Sequence, residues 1–342
     1  MTGSTENPGS SLVPCRPPIY VLLATFNGER FLQAQLESIL AQDDRNWILL
    51  ARDDGSSDRS RAILDEYAAR DSRIVVVDDE LGNLGPGRNF AHLGGMAKAR
   101  GARYFAFCDQ DDFWHRQKLS LLRTMAMDAE EQAGATVPVL AFSDLRIIDA
   151  HGSVRAASYG RYAGTCFDPF GEYFWLIAQN AIPGCAMLGN RALLDFALPI
   201  PRAAIHHDWW VALCAAATGR LVRADRPLID YRVHGRNVVG VASLRMRVFE
   251  YLRRARLRFA AGDAHFRIAE RQARALAARL RHSGIHNRFV DVLESYLRAL
   301  LAPYSLPRVL GVLGGPVRRL GLARNLLLVR QLTQLRRAGR HA

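Results

Sequence analysis

Between Ile19 and Cys108 four short apolar runs alternate with three stretches of helical spacing. The runs are Ile19–Thr25, Trp47–Ala51, Ile74–Val77 and Tyr104–Cys108. Each has the length and continuity of a buried strand. Between them, Glu29–Leu40, Arg59–Ala69 and Gly87–Ala99 place apolar residues three and four apart, as in Phe31, Leu32, Leu36, Ile39 and Leu40. Strands alternating with helices read as βαβ units, so the chain is expected to be α/β, with a mostly parallel central sheet flanked by helices. Downstream the pattern is mixed. A helix is predicted over Gln117–Gln132, a strand over Val139–Ser143, irregular chain over 150–185, and helices at Arg191–Phe196 and Asp208–Ala217. From Leu244 onward the spacing is helical, broken by Pro303, Pro307 and the Gly311–Pro316 stretch. No internal repeat is visible.

Charge divides the chain further. Residues 243–342 hold 21 Arg, no Lys and 5 Asp plus Glu, a net of +16, while the whole chain carries +13. The asymmetry marks a basic C-terminal part. Residues 1–17, rich in Ser, Gly and Pro, read as a disordered lead. The expected organisation is therefore a lead over 1–17, a catalytic α/β domain over 18–242 and a basic helical region over 243–342. Cys15, Cys108, Cys166, Cys185 and Cys214 are scattered and odd in number, which points away from a disulfide framework or a zinc site. Neither a signal peptide nor an 18-residue apolar run is seen, so a cytoplasmic chain is expected.

The strand ends carry the chemistry. In an open parallel sheet, ligands bind outside the carboxyl ends of the strands. The first strand ends in Ala24–Gly28, the second in Asp53-Asp54-Gly55-Ser56-Ser57-Asp58, and the fourth in Asp109-Gln110-Asp111-Asp112. Carboxylates gathered at one edge repel unless a cation neutralises them. Asp109 and Asp111 offer the hard oxygens that Mg²⁺ or Mn²⁺ takes beside substrate phosphates. Asp53 and Asp58 also suit turns and helix caps. Two further clusters lie downstream, His206-His207-Asp208-Trp209-Trp210 and Tyr231-Arg232-Val233-His234. Taken alone, these also fit a helix cap over packed aromatics and a polar surface loop.

Read in order, ATFNGERFL (24–32), DDGSSD (53–58), GNLGPGRNF (82–90), FCDQDDFWHRQKL (107–119), IPGCAML (182–188), HDWW (207–210) and YRVHGRNVVG (231–240) resemble the family 2 glycosyltransferases, in their bacterial rhamnosyltransferase-like branch. The resemblance spans residues 19–240. It implies a GT-A fold and an inverting enzyme that moves a sugar, rhamnose by branch, from a UDP- or dTDP-linked donor to a glycan or lipid-linked acceptor in cell-envelope polysaccharide synthesis. It also implies residue roles. Thr25, Asn27 and Glu29 lie in the first nucleotide-binding loop, and Asp53 and Asp54 contact base and ribose. Asp109 and Asp111 form the DxD pair toward ribose, metal and diphosphate, and His234 completes the metal site. Arg232 contacts the diphosphate. Asp208 is the general base, with the neighbouring His207 orienting it.

Two surfaces complete the reading. Tyr159, Tyr162, Phe170, Tyr173, Phe174 and Trp175 are expected to wall the acceptor, since sugars stack on aromatic faces; an ordinary aromatic core is the alternative. Leu244–Arg258 is basic and amphipathic, so residues 244–342 are expected to touch an anionic membrane peripherally, on the inner face of the cytoplasmic membrane. A helical lid or dimer surface is the other reading of this region. No nucleic-acid motif accompanies the charge, and no nucleic-acid partner is expected. The alternatives from other classes are a nucleotidyltransferase, a non-catalytic nucleotide-sugar-binding module and a basic membrane-associated scaffold. Of these, the nucleotidyltransferase would need a Gly-rich loop after the first strand, where Ala24–Gly28 has one Gly.

Overall fold

The computed structural model describes residues 16–165, 172–234, 255–320 and 322–334. The predicted alternation is present. Strand β1 (Ile19–Thr25) leads to α1 (Glu29–Leu40), β2 (Trp47–Asp53), α2 (Ser60–Arg70), β3 (Ile74–Val76), α3 (Pro86–Ala99) and β4 (Tyr104–Cys108). Then follow β5 (Phe113–Trp114), α4 (Lys118–Ala133), β6 (Val139–Phe142), β7 (Arg146–Asp149), β8 (Val154–Ala156), α5 (Tyr159–Ala163), β9 (Met187–Asn190) and α6 (Arg191–Ala197). Helix α7 (His207–Thr218) precedes β10 (Arg220–Arg223) and β11 (Ile229–Val233). The C-terminal part is α8 (Ala255–His282), α9 (Arg288–Leu300), α10 (Ser305–Gly314) and α11 (Leu322–Gln334).

Seven strands form the main sheet in the order β10-β6-β9-β4-β1-β2-β3. All neighbours are parallel except β9, which runs antiparallel to both β4 and β6. Side chains of a strand alternate between faces, and here each face has its own core. Ile19, Val21 and Leu23 of β1 pack with α1, α2 and α4, while Tyr20 and Leu22 face α3, α6 and α7. Burial on both faces explains why the strands read as unbroken apolar runs. The chain order reverses at β1, which lies between β2 and β4. That places a switch-point crevice outside their carboxyl ends, where Thr25 pairs with Asp53 and Leu23 with Cys108.

A second sheet, β5-β11-β7-β8, was not legible in the sequence. Strand β11 pairs antiparallel with β5, Ile229 with Trp114 and Asp230 with Phe113. It therefore carries the chain after β11 back to the acidic segment before β5. The stretch 150–185, expected to be irregular, also holds β8, α5 and two 3-10 turns, Phe174–Ile177 and Gly184–Ala186.

The C-terminal helices share a core with the sheet. Phe266, Ala273, Leu276 and Leu280 of α8 join Trp209 and Trp210 of α7 in one cluster. Both indoles are satisfied, Trp209 Nε1 donating to the Leu176 carbonyl at 2.6 Å and Trp210 Nε1 to that of Ala197 at 2.8 Å. Each fully buried side chain of this size contributes roughly 1.5–3 kcal/mol. Pro307 does not break a helix as expected. It falls in the first turn of α10, where a missing N–H removes no intrahelical bond. The lead over 1–15 and most of Leu244–Arg258 lie outside the described residues.

Candidate active site

A cleft of about 1190 Å³ opens at the switch point. Its floor is made by two loops locked together. Asn27 sits in the left-handed region (φ 49°), a conformation Asn tolerates. Its N–H donates to Ser56 Oγ at 2.8 Å and its Oδ1 accepts from Ser57 N–H at 2.8 Å. Glu29 Oε2 accepts from Arg59 N–H at 3.0 Å, and Asp58 accepts from Glu29 N–H at 3.1 Å. Asp58 also caps Ser60, through its N–H and hydroxyl, and these bonds hold its carboxyl below the usual range against the cost of burial.

The paired aspartates after β2 are committed to the scaffold. Asp53 accepts from Ser56 N–H and Oγ and from Thr25 Oγ1, which closes the turn. Asp54 is buried; it receives Arg52 Nη1 at 2.6 Å and the N–H groups of Leu84 and Gly85 at 2.7 Å each. Arg52 in turn grips Asp79 and the Gly82 carbonyl. The charge network thus fixes the 79–85 loop against the cleft. Asp79 is held down to about 2, chiefly by its hydrogen bond from Arg52.

The acidic loop after β4 is tied to β1 by a residue sequence reasoning missed. Gln110 donates from Nε2 to the Phe26 carbonyl at 3.0 Å and accepts from Phe26 N–H at 2.8 Å, mimicking a backbone pair. Its one signal was its place inside the acidic triple. The flanking Asp109 and Asp111 line the cleft, with His234 beside them. His234 Nε2 lies 2.7 Å from Asp111 Oδ2, and its ring stands against Phe31 at 5.0 Å between centroids. Burial, then the Asp111 and Asp208 carboxylates, push Asp109 up to about 7. Arg232 is buried and is not among the residues lining the cleft. Its Nε donates to the Asp111 carbonyl at 3.0 Å, its N–H to Asp112 Oδ1 at 3.2 Å, and its guanidinium lies over Phe31.

Across the cleft, Asp208 stands in the first turn of α7, where the helix dipole favours an anion. Its Oδ2 accepts from Gly184 N–H at 3.1 Å. Gly184 admits little else, because a Cβ there would meet His207 Nε2 at 3.0 Å and Asp208 Cβ at 3.2 Å. The expected orienting role of His207 does not hold. Its ring stacks on Phe90 at 4.0 Å and meets the edge of Phe107 at 4.6 Å, and its Nε2 is buried without a hydrogen-bond partner. Burial depresses it to about 4, so it is neutral beside Asp208.

The expected aromatic wall is also corrected. Tyr159, Tyr162, Tyr173, Phe174 and Trp175 are absent from the cleft lining, and Phe170 lies outside the described residues. Phe174 and Trp175 are core, because the 3-10 turn that carries them packs under α7 and supplies the carbonyl that Trp209 uses.

Three ligand atoms, from Asp109, Asp112 and Cys185, lie within 4.8 Å of one another. Cys185 is buried, and burial followed by the nearby carboxylates drives its thiol up, so it stays protonated. The buried Lys118 ammonium, over the Trp114 ring at 3.0 Å, acts on the same group. This inner set suits a cation poorly. Asp109, Asp111 and His234 line the cleft; the two carboxylates offer the hard oxygens a divalent ion takes, and His234 a nitrogen already paired with Asp111. Arg30 is the one Arg or Lys among the described residues lining the cleft, against Glu29, Asp54, Asp58, Asp109, Asp111 and Asp208. The lining is therefore predominantly acidic.

Comparison with known proteins agrees with this geometry. Residues 20–169 match the family model described as glycosyl transferase family 2. A relative from Escherichia coli, the UDP-Glc:alpha-D-GlcNAc-diphosphoundecaprenol beta-1,3-glucosyltransferase WfgD, is 34% identical over 109 residues, 32% of this chain and 41% of that protein. The dTDP-rhamnosyl transferase RfbG of Shigella flexneri is 26% identical over 229 residues, 64% of this chain and 73% of that protein. The chain thus spans well under two thirds of the first relative's length and more of the second's. Among solved structures, S. aureus TarS 1-349 in complex with UDP superposes with a TM-score of 0.54 at 14% identity, over 82% of this chain and 71% of that one. The sheet with its switch-point cleft is a GT-A architecture. Residues 20–169, which hold the loops of Asn27, Asp54, Asp109 and Asp111 in that cleft, are thus similar to glycosyl transferase family 2.

Proposed function

We propose that the chain is an inverting glycosyltransferase that moves a sugar, rhamnose by its branch, from a UDP- or dTDP-linked donor to a hydroxyl of a polysaccharide or lipid-linked glycan. One observation carries the reading: Asp109, Asp111, Asp208 and His234 come from three distant segments and line a single cleft. The donor lies over the loops of Thr25, Asn27, Glu29, Asp53 and Asp54, with its diphosphate toward Asp109 and Asp111. Asp53, Asp54 and Arg232 serve by holding backbone, so their share in donor binding is indirect. Mg²⁺ or Mn²⁺ held by Asp109, Asp111 and His234 would supply the positive charge that a departing diphosphate needs.

Asp208 takes the proton of the acceptor hydroxyl as that oxygen bonds to the anomeric carbon. The carbon–oxygen bond to the nucleoside diphosphate breaks on the opposite face, which inverts the centre. Each carboxylate oxygen accepts one backbone N–H, Oδ2 from Gly184 and Oδ1 from Trp209, which orients the group and leaves lone pairs for the incoming proton. Residues 18–242 form the catalytic unit. Residues 243–342 bring it peripherally to an anionic membrane from the cytoplasmic side, and no helix among the described residues is long and apolar enough to cross one. The relatives' names support this reading, one with a UDP-sugar donor and diphosphoundecaprenol-linked acceptor, the other with dTDP-rhamnose.

The test is a panel of UDP-, dTDP- and GDP-sugars, scored for metal-dependent thermal stabilisation and for sugar release. Stabilisation and release by one nucleotide class are expected. Binding without turnover on any acceptor would favour a non-catalytic binding module, and no binding at all would overturn the reading.

A further inference from the structure

Arg30 stands where helix stability would not place it. It lies in the first turn of α1, where the helix dipole disfavours a cation and favours an acid such as its neighbour Glu29. Nothing local offsets this. The side chain is exposed, and no hydrogen bond or ion pair joins it to any described residue, although six carboxylates line the same cleft. What holds it is the Phe31 ring, whose centroid lies 4.9 Å from the guanidinium carbon. An aromatic face positions a guanidinium and leaves its N–H donors unspent. A charge that opposes its own helix and pairs with nothing in the fold is a mark of a ligand contact.

The surroundings of Phe31 tell which part of a ligand. The same ring stands against His234 at 5.0 Å between centroids, and His234 Nε2 lies 2.7 Å from Asp111 Oδ2. Arg30 is therefore one ring away from the end of the cleft to which the diphosphate is assigned above. Arg232, the cation expected at that diphosphate, is buried outside the lining with its Nε on the Asp111 carbonyl. When the bond to the anomeric carbon breaks, its electron pair stays on the terminal phosphate oxygen, so the leaving group gains one negative charge. A guanidinium fork matches two oxygens of such a phosphate.

We propose that Arg30 binds the terminal phosphate of the nucleoside diphosphate and holds it more tightly once the sugar has left. This rests on the donor class of the proposed function and gives the leaving group a direct side-chain contact.

The experiment measures the affinity of the full chain for UDP and dTDP, and for UMP and dTMP, at one fixed Mn²⁺ concentration. The wild type is compared with Arg30→Gln and Arg30→Lys. Arg30→Gln should bind the preferred diphosphate at least ~tenfold more weakly and the matching monophosphate as well as the wild type does. Arg30→Lys keeps the charge without the fork, and its diphosphate affinity should fall between the two. A residue that only shaped its loop would weaken both nucleotides alike, and that result would overturn the proposal. Unchanged diphosphate affinity in Arg30→Gln would overturn it as well while leaving the donor class standing. A wild type that binds none of the four nucleotides would overturn the donor class and this contact together.

Discussion

His234 Nε2 and Asp111 Oδ2 lie 2.7 Å apart although 123 positions separate them. The pairing of β11 with β5 makes the contact, because it brings the chain leaving β11 back to the loop that enters β5. If this pair forms part of the cation site, Asp111→Ala should weaken the metal dependence of donor binding ten-fold or more, and His234→Ala should do so by about 10–100-fold. Titrating Mn²⁺ against donor affinity in each variant checks this. An unchanged titration midpoint in Asp111→Ala would remove that residue from the site.

Asp208 is held by Gly184 N–H on one oxygen and Trp209 N–H on the other, in the first turn of α7. Asp208→Asn preserves shape and one of the two backbone hydrogen bonds but cannot take a proton. Donor affinity should remain within a few-fold, while transfer should fall by about 10²–10⁴. Near-normal turnover would assign the base elsewhere.

The first half of the fold was legible because its strands are buried on both faces and its helices on one, so apolar spacing alone separates them. The second sheet was not. Strand β5 has two residues and pairs with β11 115 to 117 positions away, and β8 has three residues and pairs with β7 through an irregular register, so neither run is long enough to show a local pattern. The acidic cluster was legible as a site because three carboxylates in four residues are costly without a counter-charge. What each carboxylate does was not. Asp53 and Asp54 look alike in sequence, yet one closes its own turn and the other clamps Arg52 and the 84–85 amides. His207 next to Asp208 suggested an orienting role, and only the three-dimensional position of Phe90 and Phe107 shows the ring to be stacked and neutral.

Gln110 and Gly28 form a lock that links the acidic loop to β1. A Cβ at Gly28 would fall 2.3 Å from Gln110 Oε1, so Gly28→Ala must expel the amide from its two bonds with Phe26. The cost should be about 1–2 kcal/mol of stability, with donor affinity reduced several-fold as the loop loosens. Gln110→Ala should lose a similar amount alone. In the double variant the clash is gone, so the two losses should fall short of additive by at least ~0.5 kcal/mol. Strict additivity in urea unfolding would show that the two residues act independently.

His207 gives the protein a pH-dependent stability whose sign follows from its burial. The unfolded side chain takes a proton near 6.5, whereas the buried ring does so only at about 4. Between these values the unfolded chain binds more protons, so stability should rise with pH across that window and be fully regained above about 6.5. The greatest loss, below about 4, is on the order of 3 kcal/mol. His207→Phe keeps an aromatic ring against Phe90 and removes the titration. Urea unfolding of both proteins at pH 7 and pH ~4.5 isolates the group, since other ionisations cancel in the difference. The wild type should lose more stability than the variant on acidification. Equal losses would mean that the imidazole reaches water in the folded state, and the stacked, neutral ring beside Asp208 would have to be abandoned.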